Sequence, residues 1–338
     1  MFLILLFLSF LLSLVLTGWL IKYLNQELLD IPNQRSSHSQ PVLRGGGLAF
    51  IIAFALTGLI GIVTKNYHLG FDFHDYWRIW LVLTPLAIIG FIDDRRDISA
   101  KTRYLVQLLS ASIGVFCFGT VPIPWLSGLG ILGAIIAVIF SLIAITAFIN
   151  FYNFMDGLDG FVASITAVQL AFIALYLEQP IFLLLVSALM GFLWWNWHPA
   201  KIFMGDVGST VLGASVAIAL LSGRQEFALA WSALSVTFPL IGDSIYTLIR
   251  RLINKENIFE PHRSHIYQRL QQSGLSHDRV AIIYVLVTLI SAGIIYWFGA
   301  ISIGINLLLV VSIITLAEVY LAGEKKTLPQ PEREAIKR

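Results

Sequence analysis

Charge is scarce in this chain. Only 12% of its 338 residues are Asp, Glu, Lys or Arg, about half the 25% usual in soluble domains. Mean hydropathy is +0.82. Together these exclude an ordinary soluble domain and point to an integral membrane protein. Cysteine is nearly absent too. The single Cys117 lies in an apolar run, so an internal disulfide and a thiol-rich metal centre are both excluded, and Cys117 is read as a packing or lipid-facing residue. The net charge of +2 comes from basic residues scattered over loops, which makes no surface for nucleic acid. Fixed-period repeats are lacking, as is any segment long enough for a separate soluble domain. The chain therefore reads as one transmembrane domain over 1–322 and a short basic tail over 323–338.

Long apolar runs are abundant. A helix crossing the hydrocarbon core takes about 20 mostly apolar residues. Eleven stretches are expected to do so, roughly 2–21, 46–63, 78–92, 104–120, 130–149, 160–177, 181–197, 207–222, 227–249, 279–298 and 301–322. The expected fold is all-α and polytopic. The first run is longer than a signal-peptide core and has no basic residue ahead of it, so it is read as a retained span. Of the 22 basic residues, 19 fall in alternate loops and the tail, leaving Lys65, Arg78 and Arg224 on the other side. The positive-inside rule then places the amino terminus outside and the carboxyl terminus in the cytoplasm. Every polar motif below falls on the cytoplasmic side of that count.

The first motif is "NFYNFMDGLDGF", residues 150–161, between two oily stretches. A carboxylate at membrane depth costs from roughly 2.5 kcal/mol upward. Asn150, Asn153, Asp156 and Asp159 are three apart, so on one α-helix successive side chains step by about 60° and cannot share a narrow face. Gly157 and Gly160 suggest that the helix ends and the backbone bends there. Asn and Asp supply hard oxygen ligands of the kind Mg²⁺ takes. The same residues also suit a cap and turn. The second motif, "GFIDDRRDISAKTR", sets Asp93 and Asp94 at a span exit among basic residues. Adjacent carboxylates facing one site repel unless a cation stands between them.

The third motif, "HPAKIFMGDVGST", places Asp206 between glycines at the start of an apolar helix, where the dipole favours an acid. The fourth, "EPHRSHIYQRL", brings His262, Arg263 and His265 within four residues, good donors to phosphate. Zinc is disfavoured there, because no third His or Cys is near. In the fifth, "RSSHSQPVLRGGGLAF", Arg35, His38 and Arg44 lead into Gly45–Gly47, a run that lets backbone approach a phosphate or forms a flexible entry to a helix. Asp243 and Glu318 are the only acids expected inside spans. Polar chemistry gathered at one interface, with acids for metal and cations for phosphate, suggests joining a soluble phosphate donor to a lipid-borne acceptor.

These five motifs, in this order and spacing, resemble the polyprenyl-phosphate N-acetylhexosamine-1-phosphate transferases of glycosyl transferase family 4, over roughly residues 30–275. The resemblance implies transfer of a sugar 1-phosphate from a UDP-N-acetylhexosamine to undecaprenyl phosphate at the bacterial cytoplasmic membrane, with UMP released. By motif position it implies Asp206 and Asn153 as ligands of Mg²⁺, with Mn²⁺ as the alternative. Asp93 and Asp94 match the catalytic acid pair, with His262, Arg263 and His265 at the donor pyrophosphate. Asp159 and Phe203 match positions that hold the uracil. Asn150, Asp156, Arg35, His38 and Arg44 complete the expected substrate-binding set. Partners that follow are the donor, the lipid acceptor, membrane lipid and a second copy of the chain in a homodimer. The peptidoglycan enzymes of this group carry consecutive histidines where this chain has "HRSH". That departure points to the branch that starts O-antigen or capsule chains, including members using 6-deoxy sugars. Two other readings compete: a transporter or flippase of lipid-linked or anionic solutes, and an intramembrane aspartyl protease resembling this chain only loosely at "MGD".

Overall fold

The computed structural model describes residues 1–23, 28–32, 40–64, 73–222, 227–257, 260 and 262–327. Arg35, His38 and the tail beyond Thr327 lie outside the described residues. The fold is nearly all helix: α1 Phe2–Tyr23, α2 Gly47–Val63, α3 Phe73–Arg95, α4 Ala100–Phe118, α5 Gly130–Met155, α6 Phe161–Tyr176, α7 Phe182–Asn196, α8 Gly205–Leu221, α9 Phe227–Leu234, α10 Phe238–Ile253, α11 Ile266–Gln272, α12 His277–Phe298 and α13 Ser302–Thr327. Apolar segments in a bilayer must satisfy their amides internally, which leaves helices as the solution for such runs. Among the described residues, five helical stretches are long and apolar enough to cross a membrane: Phe2–Tyr23, Phe73–Arg95, Pro124–Met155, Phe227–Ile253 and His277–Glu324. Shorter apolar helices, α2, α6, α7 and α8, complete the bundle. The expected span at 104–120 falls in α4, whose first turns carry Lys101, Arg103 and Gln107.

Three features depart from the expected pattern. Two short antiparallel strands, β1 Leu29–Asp30 and β2 Val42–Leu43, pair Leu29 with Leu43 and Asp30 with Val42. The ninth span is broken: a 3₁₀ turn at Ser235–Thr237 separates α9 from α10, just before Pro239. Proline has no amide to donate and its ring crowds the carbonyl four residues back. The buried polar groups at this break partly meet one another, with Asn306 Nδ2 donating to Ser235 Oγ at 2.9 Å. Finally, α13 continues to Thr327, past the residue 322 boundary drawn for the tail.

The centre of the bundle is α8, which touches α2, α3, α5 and α6 and is buried from Val207 to Ala219. Its sequence, GDVGSTVLGASVAIALL, is rich in small residues, which lets neighbouring backbones come close. A Cβ added at Gly47 of α2 would lie 2.5 Å from the Gly208 Cα, and one at Gly90 of α3 would lie 2.6 Å from the Val207 amide. A Cβ at Gly213 would meet the Phe148 carbonyl of α5 at 2.6 Å. Outside this packed centre, α1, α5, α12 and α13 turn residues such as Leu3, Ile131, Leu286 and Leu308 outward, as a lipid-facing surface requires.

The contact between α3 and α8 yields a stability prediction. Gly90→Ala should cost about 1–3 kcal/mol through overpacking and lower the thermal midpoint in detergent. Gly293→Ala in α12, where nothing lies within 4 Å of the added carbon, should be neutral or gain up to about 1 kcal/mol from helix propensity. Equal midpoints for the two variants would contradict the close-packing account.

Candidate active site

The helix ends near the motifs meet at one end of the bundle. α3 finishes on Asp93 and Asp94, and these neighbours do different things. Asp94 is buried, 8% exposed, and both its oxygens are occupied: Oδ1 accepts from the Asp206 amide at 2.8 Å and Oδ2 from the Val207 amide at 3.2 Å. Those are early amides of α8, which have no partner within their own helix and carry the positive end of its dipole. Gly205 is pressed so closely on the Asp94 carboxyl that a side chain there would collide with it. Asp94 was expected beside Asp93 as a catalytic acid; its carboxylate is instead engaged in capping the helix that carries Asp206.

Asp93 accepts from the Ile98 amide at 2.8 Å and pairs with Arg103 Nη1 at 2.8 Å. The same Arg103 nitrogen lies 3.1 Å from Asp206 Oδ2. Asp206 Oδ1 in turn accepts from Asn153 Nδ2 at 3.0 Å, and that amide also reaches Ser209 Oγ at 3.0 Å. One guanidinium nitrogen therefore stands between two carboxylates from motifs more than a hundred residues apart in sequence. A cation between facing carboxylates relieves their repulsion. The side-chain oxygens of Asp206 and Asn153 are hard donors of the kind that Mg²⁺ or Mn²⁺ takes, so these residues fit a divalent ion.

The other polar residues of the first motif part company at the end of α5. Asn150, still in the helix, donates to Gln107 Oε1 and to the Thr146 carbonyl, both at 2.7 Å; it ties α5 to α4. Asp156 follows the last helical residue. Burial, then the negative charges of Asp206 and Asp94, push its pKa well above the ordinary carboxyl range. Gly160, at φ +67°, makes the left-handed bend, and its amide donates to Asn196 Oδ1 at 3.1 Å. Asp159 is buried and meets His198 Nδ1 at 2.6 Å, His277 Nδ1 at 3.3 Å and the Ala200 amide at 3.1 Å. Burial would raise its pKa, but the hydrogen bonds from His277 and His198 outweigh that and hold it below the usual value. The ligand atoms of Asp159, His198 and His277 lie within 4.8 Å of one another. This second metal-capable cluster has two nitrogens and one oxygen, a set softer than Mg²⁺ prefers.

The glycine run serves packing. The Gly46 and Gly47 amides donate to the Phe203 and Met204 carbonyls at 2.9 Å each, and the Phe203 amide donates to Leu43 O at 2.8 Å. Those two amides are thus spent on the third motif and are not turned toward a phosphate. Arg44 pairs with Asp30 at 2.7 Å and also feels the charges of Asp94 and Asp206.

The histidine loop joins the same end through α11. Tyr267 stacks on Phe161 with ring centroids 4.7 Å apart, its hydroxyl donates to the Phe154 carbonyl at 3.1 Å, and a side chain at Gly157 would collide with that hydroxyl. His262 is half-buried and 3.0 Å from Ser264 Oγ. Arg263 donates to Gln271 Oε1 at 3.4 Å. His265 is only 2% exposed, with Nδ1 3.7 Å from Asp243 Oδ1. It therefore faces into the fold, where phosphate contact had been expected of it.

The fold is that of a helical bundle of the polytopic membrane class with an acid-rich polar cluster at one end, and the comparisons supply its family. The glycosyl transferase family 4 pattern matches residues 76–224. A probable undecaprenyl-phosphate N-acetylglucosaminyl 1-phosphate transferase of Bacillus subtilis is 30% identical, over 88% of this chain and 86% of its own. The decaprenyl-phosphate N-acetylglucosaminephosphotransferase of Mycolicibacterium smegmatis is 29% identical, over 82% of this chain and 77% of its own. The phospho-N-acetylmuramoyl-pentapeptide-transferase of Aquifex aeolicus is 29% identical, over 73% and 76%. The chain belongs to glycosyl transferase family 4.

Sequence reading missed Arg103, Ser209, Asn196, His198 and His277 as members of this end. Arg103 had been counted only as a loop charge, and its place one turn into α4 was the available signal. His198 lies in the quoted third motif, but its partner His277 is 79 positions later at a helix start, with nothing local to join them.

His262 gives a pH prediction. Burial, followed by the charge of His265, depresses its pKa to about 4, against an unfolded value near 6.5. The unfolded chain thus takes up the proton first on acidification, and stability is lost as pH falls from about 6.5 toward 4. His262→Gln, which cannot take up that proton, should show a smaller fall in thermal midpoint over this window. Parallel midpoint curves for parent and variant would refute the neutral, buried imidazole.

Proposed function

We propose that this protein transfers an N-acetylhexosamine 1-phosphate, or a 6-deoxy derivative, from a UDP-sugar to undecaprenyl phosphate, on the cytoplasmic face of a bacterial membrane. The observation that carries the reading is the meeting of Asp93 and Asp206 on one guanidinium nitrogen, at 2.8 and 3.1 Å. Two carboxylates, a basic group and a histidine loop at one end of a lipid-facing bundle suit a reaction between two phosphates. The names of the relatives support the same reading. Among them are transferases for N-acetylglucosamine phosphate and for the muramoyl pentapeptide, so the proposal stays at the level of the N-acetylhexosamine. The polymer started is proposed as a surface polysaccharide or other cell-wall polymer.

In this mechanism an oxygen of the lipid phosphate attacks the phosphorus that carries the sugar. The bridging bond of the pyrophosphate breaks, and UMP leaves with the bridging oxygen. Such transfers depend mainly on positioning and on offsetting charge. A divalent cation held by Asp206 with Asn153, when bound, would offset negative charge on the pyrophosphate and the departing UMP. A phosphate monoester has its second pKa near 6, so the acceptor is largely ionised at neutral pH. Asp93 then orients it or removes a residual proton. Arg103, released from the carboxylates, turns to phosphate oxygens, and His262 and Arg263 hold the donor. Asp159 and Phe203 are proposed at the uracil, with Arg44 behind the acids. Asp94 keeps Asp206 in place without touching the reacting atoms.

The test is UMP release by the purified protein from UDP-N-acetylhexosamines, in detergent with undecaprenyl phosphate and Mg²⁺. Asp93→Asn should lower kcat by about 100-fold or more while leaving the donor KM within a few-fold. Asp206→Ala should abolish turnover, as should EDTA. Variants with activity within a few-fold of the parent would remove both assignments. Solute movement across vesicles without UMP would favour the transporter reading.

A further inference from the structure

Asp243 and Glu318, the two acids expected within spans, both reach α11. Asp243 of α10 is 1% exposed. Its Oδ1 accepts from the Ile266 amide at 2.8 Å and Thr247 Oγ1 at 3.1 Å. Its Oδ2 accepts from the Tyr267 amide at 3.0 Å and the Tyr284 hydroxyl of α12 at 2.8 Å. A fifth group, His265 Nδ1, faces it at 3.7 Å. At the middle of the same short helix, Arg269 meets Glu318 of α13 through both of its terminal nitrogens, one pair at 2.8 Å. Glu318 also accepts from Tyr246 of α10 at 2.8 Å, and Arg250 of α10 donates to the Ser264 carbonyl at 2.7 Å.

We infer that Asp243 and Glu318 are positioning residues that clamp α11 at its start and at its middle and so fix the geometry of the histidine loop, residues 262–265. The inference rests on the proposed function only for its consequence, donor binding. Seven residues are too few to hold a helix by propensity alone. The helix therefore owes its place to what grips it. An unneutralised acid on an apolar helix is costly, and each of the two meets groups of α11. Asp243 does so without reaching a substrate, since its oxygens are fully engaged inside the bundle. The clamp also accounts for His265: its ring lies between the Asp243 carboxylate and His262, whose ring centroid is 5.0 Å away. His265 thus passes the hold on Asp243 to the histidine that remains half-exposed. Tyr267, stacked on Phe161, seats the same helix on the turn that follows Asn153.

Two readouts test this, one independent of catalysis. In Asp243→Asn, amide hydrogen exchange at Ile266 and Tyr267 should quicken by tenfold or more, with exchange in α8 unchanged. In Glu318→Gln, exchange across 268–272 should quicken. Both variants should raise the donor KM by about tenfold, with the KM for undecaprenyl phosphate within twofold and a smaller change in kcat. Tyr284→Phe, which removes one hydrogen bond, serves if Asp243→Asn does not fold; it should give the same pattern with a smaller amplitude. Unchanged exchange at 266–272 in the variants would overturn the clamp. So would faster exchange with an unaltered donor KM and a uniformly lowered kcat, which would leave these acids a purely structural role. If the parent protein releases no UMP from any donor, the proposed function fails instead, and the exchange measurement alone decides the clamp.

Discussion

A carboxylate buried against the first amides of a buried helix organises this molecule. Asp94 loses the solvation a charge wants, and two early amides of α8 with the positive end of its dipole compensate. The contact sets where α8 begins, and Asp206 lies in its first turn. Glycines at 47, 90 and 208 then let α2 and α3 close on α8 with no side chain between the backbones. Asp206 is thus carried on a helix buried from Val207 to Ala219, and Asp93, one residue from Asp94, is brought to it from α3. A site that must hold two phosphates in line gains from being built on fixed helix ends more than on loops.

The same device recurs at the histidine loop, where Asp243 takes the first amides of α11. In both places an acid from one spanning helix caps another helix, and the residues proposed to act on substrate sit within a few positions of the capped end. A carboxylate buried in protein is cut off from water, so it persists where backbone donors or cations meet it. This bundle uses that requirement to fix the position of its polar elements. Burial of His265 follows from the same arrangement, since the ring packs between the capping acid and its outer neighbour.

Much of the bundle could be read from the chain because lipid imposes a simple rule on it. Each of the eleven apolar runs is largely helical, ten on a single helix and the ninth on two, since an apolar segment of that length has no other way to satisfy its amides. The break before Pro239 was marked by the proline itself and was passed over in the long hydrophobic run. The pair of strands around residues 29 and 43 was not legible, because two-residue strands leave no periodicity. Asp93, Asp206 and Asn153 were expected at one site only through the family resemblance of their motifs, which the residue spacing alone does not supply. The different employment of Asp93 and Asp94 was invisible, because neighbours with the same side chain have the same local signal. Gly45–Gly47 had been read as phosphate-binding or flexible backbone, and the amides of Gly46 and Gly47 proved to serve the segment at 203–204.

The sequence by itself determined that this is a helical membrane protein, where its apolar runs fall, and which clusters of polar residues interrupt them. Those follow from composition and spacing, which act locally along the chain. Only the tertiary structure decided which acid caps a helix and which faces Arg103, that Asp159 pairs with His198 and His277, and that Asp243 and Glu318 grip α11. Each of those depends on which helix ends lie side by side, and a carboxylate's role is set by the donors that packing brings to it.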